Sequence, residues 1–372
     1  MEEFVSVRLE KLRACLRDET FDTVLILQGE NRRYLSGFTG QDGQCDESAG
    51  ALLLTSERQV LATDSRYESQ ARTEAMNFEI VCYREGLASA LPDILRTLQT
   101  ERLGFECIRV SYLQFQRMEE QLKKAVLSVP LVPSENLVEG LRITKEPQEI
   151  EAIRQSLSMA ESVYSSVVKT LSAGMREKEL AWAIEKGLRE AGAESVAFPP
   201  IVATGPQAAL PHAIPTDRIV QEGEPILFDW GARLNGYCSD VSRTIVLGQP
   251  DDTFRKVYQA VLDAQSMAIE AMRPGANTQQ VDRIARDHIA SKGFGDYFGH
   301  ALGHGVGLAT HEKPSLSPLR PTSLEAGMIT TVEPGIYIPG WGGVRLENMV
   351  VVKENGAEVL NQLPLRPTNR TD

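Results

Sequence analysis

Hydrophobic positions along this chain follow two alternating rhythms. In VSVRLEKLRACLRD, Val7, Leu9, Leu12 and Leu16 fall near one face of a 3.6-residue period, which predicts an amphipathic helix. DTVLILQ and GALLLTSERQVLAT are short apolar runs broken by turn residues, the mark of strands. SALPDILRTLQTER and LQFQRMEEQLKKA return to the helical period, with RLGFEC between them as a strand. Residues 1–130 therefore read as an α/β domain. VPLVPSENLVEGLRITKEPQ holds three prolines and few periodic hydrophobes, so residues 131–146 read as a linker. From 147 to 372 the order changes. Helices are predicted over 147–171 and 176–191, then the strand-rich PILFDWGARLNGYCSDVSRTIVLG. A second helical pair, 252–272 and 277–292, precedes the strands MITTVE and VRLENMVVV, giving an α+β second domain.

That second domain carries a weak internal repeat. Gly174 and Gly192 bracket the second helix of the first pair, and Gly275 and Gly293 bracket its counterpart, both at intervals of 18 residues. His212 follows the first closing glycine by 20 residues and His311 follows the second by 18. A duplicated helix–helix–strand unit with a pseudo-two-fold axis is expected, placing the two histidines in related positions.

A length of 372 residues suits two domains. The net charge of −12, from 51 acids against 39 bases, argues against a nucleic-acid surface, which needs a basic stripe. Cys15, Cys45, Cys82, Cys107 and Cys238 are odd in number with no CxxC spacing, and read as reduced, scattered core residues. MEEFVSVRLE has no apolar leader core, and no apolar run approaches the ~18 residues of a membrane helix, so a cytoplasmic, membrane-free protein is expected.

Candidate chemistry begins with two aspartates. Asp229 and Asp240 flank Asn235-Gly236, a strong signal for a two-residue hairpin turn. If Leu234 pairs with Tyr237, Asp229 faces Ser242 and Asp240 faces Gly231, and both carboxylates point to the same side. Their backbones are then roughly 7–8 Å apart. Such a pair is either solvated at the surface or held by a cation. Arg243 has the opposite parity and points away. Glu333 ends MITTVE. Glu347 interrupts a valine-rich run on the face shared by Arg345, so it either pairs with that arginine or joins the other acids. Four carboxylates balance two divalent cations. With one imidazole they make an oxygen-rich set suited to manganese first, with cobalt, zinc or iron as alternatives. Bridging carboxylates suit ions about 3.5–4 Å apart that activate one shared water.

The chain has five histidines, and FGHALGHGVGLATHEKP concentrates His300, His304 and His311. Glycines at 299, 303, 305 and 307 oppose a helix, each costing about 1 kcal/mol relative to alanine. An extended segment that closely approaches an ion or substrate is expected instead.

DWGARLNGYCSDVSRT, GHGVGLATHEKP, TTVEPGIY and VRLENMVVV, in this order, resemble the metal-site motifs of the pita-bread metallopeptidases, particularly the Xaa-Pro aminopeptidase (aminopeptidase P) and prolidase branch. NRRYLSGFTG and LATDSRYESQA are similar to that family's creatinase/prolidase-like N-terminal domain. The resemblance implies an α/β creatinase/prolidase-like domain, then an α+β pita-bread domain. It implies two metal ions per subunit on Asp229, Asp240, His304, Glu333 and Glu347. His212, His311 and Glu333 are its catalytic candidates, and His212, His300, His311 and Arg345 its substrate-binding ones. His288 is left without a role. Glu333 would move the nucleophile's proton to the prolyl nitrogen, and His311 would steady the oxyanion. Tyr297, Phe298 and Trp341 are apolar candidates for a proline pocket. Hydrolysis of Xaa-Pro bonds at peptide N-termini by an Xaa-Pro aminopeptidase is the favoured reading, with Xaa-Pro dipeptidase (prolidase) as the alternative. A non-catalytic binding module is the remote one. Methionine aminopeptidase resembles only the C-terminal part, and creatinase works without the metal cluster, a reading that the five intact ligands count against. The substrates would be proline-containing peptides or dipeptides, and the assembly a homodimer.

Overall fold

A computed structural model describes residues 2–44 and 47–365, and the chain divides into two compact units, Met1–Arg142 and Ile143–Asp372. The first unit runs α1 (Glu2–Leu16), β1 (Thr23–Ile26), α2 (Gly29–Ser36), β2 (Ala51–Leu54), β3 (Gln59–Asp64) and α3 (Glu68–Glu74). It continues with β4 (Glu79–Tyr83), α4 (Leu87–Leu98), β5 (Leu103–Glu106), α5 (Tyr112–Lys124), β6 (Leu131–Ser134) and α6 (Leu137–Arg142). Its sheet has the order β4-β3-β2-β1-β5-β6, with β1 parallel to β5 and antiparallel to β2. β1 and β2 are buried at every position, which is why TVLI and ALLL are unbroken apolar runs. Leu91, Leu95, Met118 and Leu122 of α4 and α5 pack on Leu25, Leu53 and Phe105 of the sheet.

Residues 131–146 differ from the linker expected there, because most of them are folded as β6 and α6. β6 is the sheet's last strand and only half-buried, so its hydrophobic pattern is faint. Its Pro133 is tolerated because an edge strand has one side without a ladder partner.

The second unit opens with α7 (Pro147–Thr170), α8 (Glu177–Glu190), β7 (Ser195–Val196) and β8 (Ile201–Thr204). Then come β9 (Pro225–Trp230), β10 (Ala232–Leu234), β11 (Tyr237–Cys238) and β12 (Val241–Val246). A second helix pair, α9 (Asp252–Ala271) and α10 (Thr278–Ser291), leads to β13 (Gly303–Gly305), β14 (Glu312–Leu316) and β15 (Ile329–Val332). β16 (Gly335–Ile338), β17 (Gly342–Arg345), β18 (Asn348–Lys353) and β19 (Gly356–Val359) close the unit. Pro147 starts α7 where its missing N–H costs nothing. Asp251 and Asn277 cap α9 and α10 by accepting from Phe254 N and Gln279 N.

The internal repeat is visible in the hydrogen bonds. β12-β9-β8 form one sheet, and β18-β15-β13 lie in the same relation within a five-stranded one. Gly174 N donates to Val220 O at 3.0 Å and Gly275 N to Leu324 O at 2.8 Å. Gly223 N donates to Leu247 O and Gly327 N to Val352 O, at 2.8 and 2.9 Å. Gly174, Gly192, Gly223, Gly275, Gly293 and Gly327 all have φ between 82° and 99°, a region closed to most side chains. The first helix pair covers Phe228 and Trp230, with Tyr164 stacked on Trp230 at 4.1 Å. The second covers Val332, Ile336, Val344 and Val350.

The hairpin keeps its expected register from turn to base. Leu234 pairs with Tyr237, and Asp229 with Ser242. Asn235 and Gly236 take φ of 51° and 84°, as a two-residue hairpin turn requires. VRLENMVVV, in contrast, is not one strand. β17 ends at Arg345, β18 starts at Asn348, and Glu347 N turns aside to donate to Ser242 O at 3.1 Å.

Among the described cysteines only Cys238 is buried; Cys15 and Cys107 are half-buried and Cys82 is exposed. The expected core placement thus holds for one of the four, and Cys45 lies outside the described residues. Among the described residues no helix is long and apolar enough to cross a membrane.

Candidate metal centre

Asp229 at the end of β9 and Asp240 just before β12 face the same cavity, of about 520 Å³. His304 enters it from the middle of β13, Glu333 from the residue after β15, and Glu347 from the break between β17 and β18. The glycines around His304 are sterically required: a Cβ on Gly303 would lie 2.0 Å from Thr331 O, and one on Gly305 2.2 Å from Lys313 O. At the hairpin's bend, a Cβ on Gly231 would lie 1.9 Å from Ser239 O.

His304 Nδ1 lies 3.1 Å from Gly305 O, an acceptor, so it carries the proton of the neutral ring. Nε2 is then a bare lone pair, 3.3 Å from Glu333 Oε1 and 3.6 Å from Asp240 Oδ2. Asp240, His304 and Glu347 each offer a ligand atom, all within 4.8 Å of one another. Asp229 Oδ1 is buried with no hydrogen-bond partner. With the carboxyls ionised, acceptors therefore face acceptors across the cavity. A cation resolves that conflict, and four carboxylates with one imidazole fit a divalent ion of the first transition row. The donated Nδ1–H also holds the ring in the tautomer a metal ligand needs.

The titration behaviour has the same origin. Burial, then the negative charge of Glu347, Asp229 and Glu333, raises Asp240 well above the usual carboxylate range. Burial, then Glu333 and Asp229, does the same to Glu347. Burial lifts Glu333 to about 7, with Asp229 adding to the rise and Arg345 opposing it. Burial lowers His304, and it lowers His300 and His311 to about 4, so these rings are neutral near pH 7.

Arg345 pairs with Asp229, not Glu347: its Nη2 donates to Asp229 Oδ2 at 2.6 Å. The chain break at 346–347 sends the two side chains to different partners, and Glu347 Oε2 accepts from Ser242 Oγ at 2.8 Å. Arg345 also donates through Nε to Ser242 Oγ, and through Nη1 to Tyr337 Oη and Pro211 O. Burial works against its charge, but Tyr337, Asp229 and Glu333 outweigh it and hold its pKa well above the ordinary value. Arg243 points away, donating to Glu347 O and Asn348 Oδ1.

His300 and His311 line the cavity, and His212 lies at its exposed rim. The His311 ring lies 4.2 Å from that of His304. His300 Nδ1 is 2.7 Å from Ala301 O, so Nε2, at 3.0 Å, accepts from the Tyr337 hydroxyl. His288 sits on α10, 3.7 Å from Asp263, outside the cavity.

The apolar wall is not the one expected. Tyr297, Phe298 and Trp341 are absent from the lining, which instead takes Phe198, Pro199, Pro200, Ile201, Ala213 and Ile214. Phe298 is buried against α9 and α10, Trp341 Nε1 points to Asp251, and Tyr297 is exposed. Sequence reading also missed Tyr337 and Ser242. Ser242 could have been found, since the hairpin register places it opposite Asp229. Tyr337 left only a steric trace: a Cβ on Gly335 would lie 2.4 Å from its hydroxyl.

Metallopeptidase family M24 matches residues 151–354, and the creatinase/prolidase N-terminal domain matches residues 8–144. The chain belongs to metallopeptidase family M24. This M24 chain is thus a metallo-exopeptidase with the two-domain fold of its solved relatives. An Xaa-Pro dipeptidase from Bacillus anthracis superposes with a TM-score of 0.91 at 35% identity, over 98% of this chain and 99% of that one. An X-Pro aminopeptidase from Thermotoga maritima superposes at 0.85 with 36% identity, over 95% and 99%. The Xaa-Pro dipeptidase of Pyrococcus furiosus is 36% identical, over 95% of this chain and 97% of its own.

Proposed function

We propose that this M24 chain is an Xaa-Pro dipeptidase, a prolidase, that hydrolyses the bond before proline. Asp229, Asp240, His304, Glu333 and Glu347 would hold two divalent cations, manganese before cobalt, zinc or iron. The observation that carries the reading is the convergence of those five side chains in one cavity, with mutually opposed acceptors. Names of near-full-length relatives favour the dipeptidase over the aminopeptidase that the sequence alone put first.

Bound divalent cations supply Lewis acidity and lower the pKa of a coordinated water toward neutrality. The chain's own groups do the rest. Glu333 accepts the attacking water's proton and passes it to the prolyl nitrogen. His311, neutral near pH 7, offers a ring N–H to the developing oxyanion. Arg345 and Ser242 orient Asp229 and Glu347. His212 and His300 hold the substrate, with Tyr337 fixing the His300 ring. Proline's tertiary amide brings no N–H, so an apolar wall can receive the ring without leaving a donor unpaired.

The deciding experiment compares Xaa-Pro with Xaa-Pro-Yaa-Zaa on manganese-loaded protein. Cleavage of the dipeptide alone is expected. Comparable kcat/KM on the longer peptide would restore the aminopeptidase, and no hydrolysis with no bound metal would favour a binding module. A homodimer and a cytoplasmic location belong to the same proposal, tested by light scattering and cell fractionation.

A further inference from the structure

His212 reaches the cavity rim from a loop, and the loop's base is held by a group remote from the chemistry. Residues 205–215 run between Thr204, the last residue of β8, and Thr216. They supply Pro211, His212, Ala213, Ile214 and Pro215 to the cavity lining. His212 is exposed, so its place is set by the backbone that carries it.

Glu177, the first residue of α8, is 0% exposed and is not among the cavity's lining residues. Its Oε1 accepts from Thr204 N at 2.8 Å and Thr204 Oγ1 at 2.9 Å. Its Oε2 accepts from Thr216 N at 2.9 Å and Thr216 Oγ1 at 2.7 Å. One carboxylate thus closes the loop at both ends, with four donors filling its four lone-pair sites. An acid at a helix start has an ordinary use, balancing the helix dipole or capping its own N–H groups. Here both oxygens are spent on a different segment. Arg218 braces the same base, donating through Nη1 to Thr204 Oγ1 at 2.6 Å and through its backbone N to Thr216 Oγ1 at 3.2 Å. At the loop's far end, Pro211 O accepts from Arg345 Nη1 at 3.1 Å, next to His212. The loop is therefore held between Glu177 and the candidate metal centre.

We propose that Glu177 is a positioning residue: by clamping Thr204 to Thr216 it fixes where His212 meets the substrate, and so sets substrate affinity. The inference rests on the dipeptidase reading. Glu177→Gln keeps the shape but replaces one acceptor with an NH2, which opposes a backbone N–H at one end of the loop.

The test uses full-length, manganese-loaded wild type and E177Q. It measures metal per chain, Tm, Xaa-Pro kinetics, and hydrogen exchange over residues 204–216. Metal content is expected to be unchanged, with faster exchange confined to 204–216. KM should rise about tenfold or more with kcat within about twofold, because His212 would hold the substrate equally in ground and transition states. A merely structural clamp lowers Tm and leaves both constants alone, so a folded E177Q with wild-type KM overturns the proposal. If E177Q does not fold, Thr216→Val removes one hydroxyl donor and keeps the backbone one. The same rise in KM, smaller, is expected, and its absence refutes the proposal. A wild type inactive on Xaa-Pro would instead sink the dipeptidase reading. Exchange then judges the clamp: unchanged protection over 204–216 in the variant refutes it.

Discussion

Raising the pH of the metal-free chain from about 5 to about 8 forces Glu333 to ionise inside its cavity. Its folded pKa is about 7 against 4.5 for an ordinary glutamate, so the folded chain keeps a proton that the unfolded chain has already released. Stability from this group is fully present below pH 4.5 and is lost as pH rises to 7. At about 1.4 kcal/mol per unit of pH, with the slope flattening toward either pKa, the loss between pH 5 and 7 is about 2 kcal/mol. Asp240 and Glu347 are raised too and steepen the slope. Asp42, held low by Arg32 against the effect of burial, alters stability only as pH falls below about 4, outside this window, and wild type against Glu333→Gln isolates the single carboxyl. Urea unfolding followed by tryptophan fluorescence reports the right part of the chain, since Trp182, Trp230 and Trp341 all lie in the second unit. Metal-free wild type should lose about 2 kcal/mol more than the variant across that window. Loading with metal should reverse the trend, because cations bind the deprotonated groups. A metal-free wild type as flat as Glu333→Gln would mean that Glu333 ionises as readily in the folded chain as in the unfolded one.

Three further outcomes are expected. His311→Ala should retain its metal while kcat falls at least ~100-fold, the cost of one oxyanion donor; unchanged turnover would remove His311 from the mechanism. Lys145→Met removes a cation 2.6 Å from Glu312, in a pair whose side chains are 1% and 8% exposed. Breaking such a buried pair costs about 3–5 kcal/mol, and calorimetry should find Tm lower by roughly 10 °C. Gly231→Ala places a Cβ against Ser239 O and shifts the strands carrying Asp229 and Asp240, so metal retained after desalting should drop.

The site was legible wherever chemistry and periodicity coincide. Asn235-Gly236 fixes a register, the register fixes parity, and parity puts Asp229 and Asp240 on one side and Arg243 on the other. The glycine pairs exposed the repeat because left-handed backbone leaves glycine as the natural choice. What stayed hidden depends on where strands stop and what lies across space. VRLENMVVV has the composition of one strand, and its break at Leu346–Glu347, which reassigns Arg345 to Asp229, has no local signal. The wall built from Phe198 to Ile201 and the carboxylate of Glu177 are products of tertiary packing. β6 and α6 were masked by proline and by the weak pattern of a half-buried edge.

The most direct test is the metal content of manganese-loaded chain after desalting, by mass spectrometry, for wild type, Asp240→Asn and Glu347→Gln. Two ions per wild-type chain are expected, and fewer in each variant. A wild type that retains no more manganese than the variants would contradict that expectation.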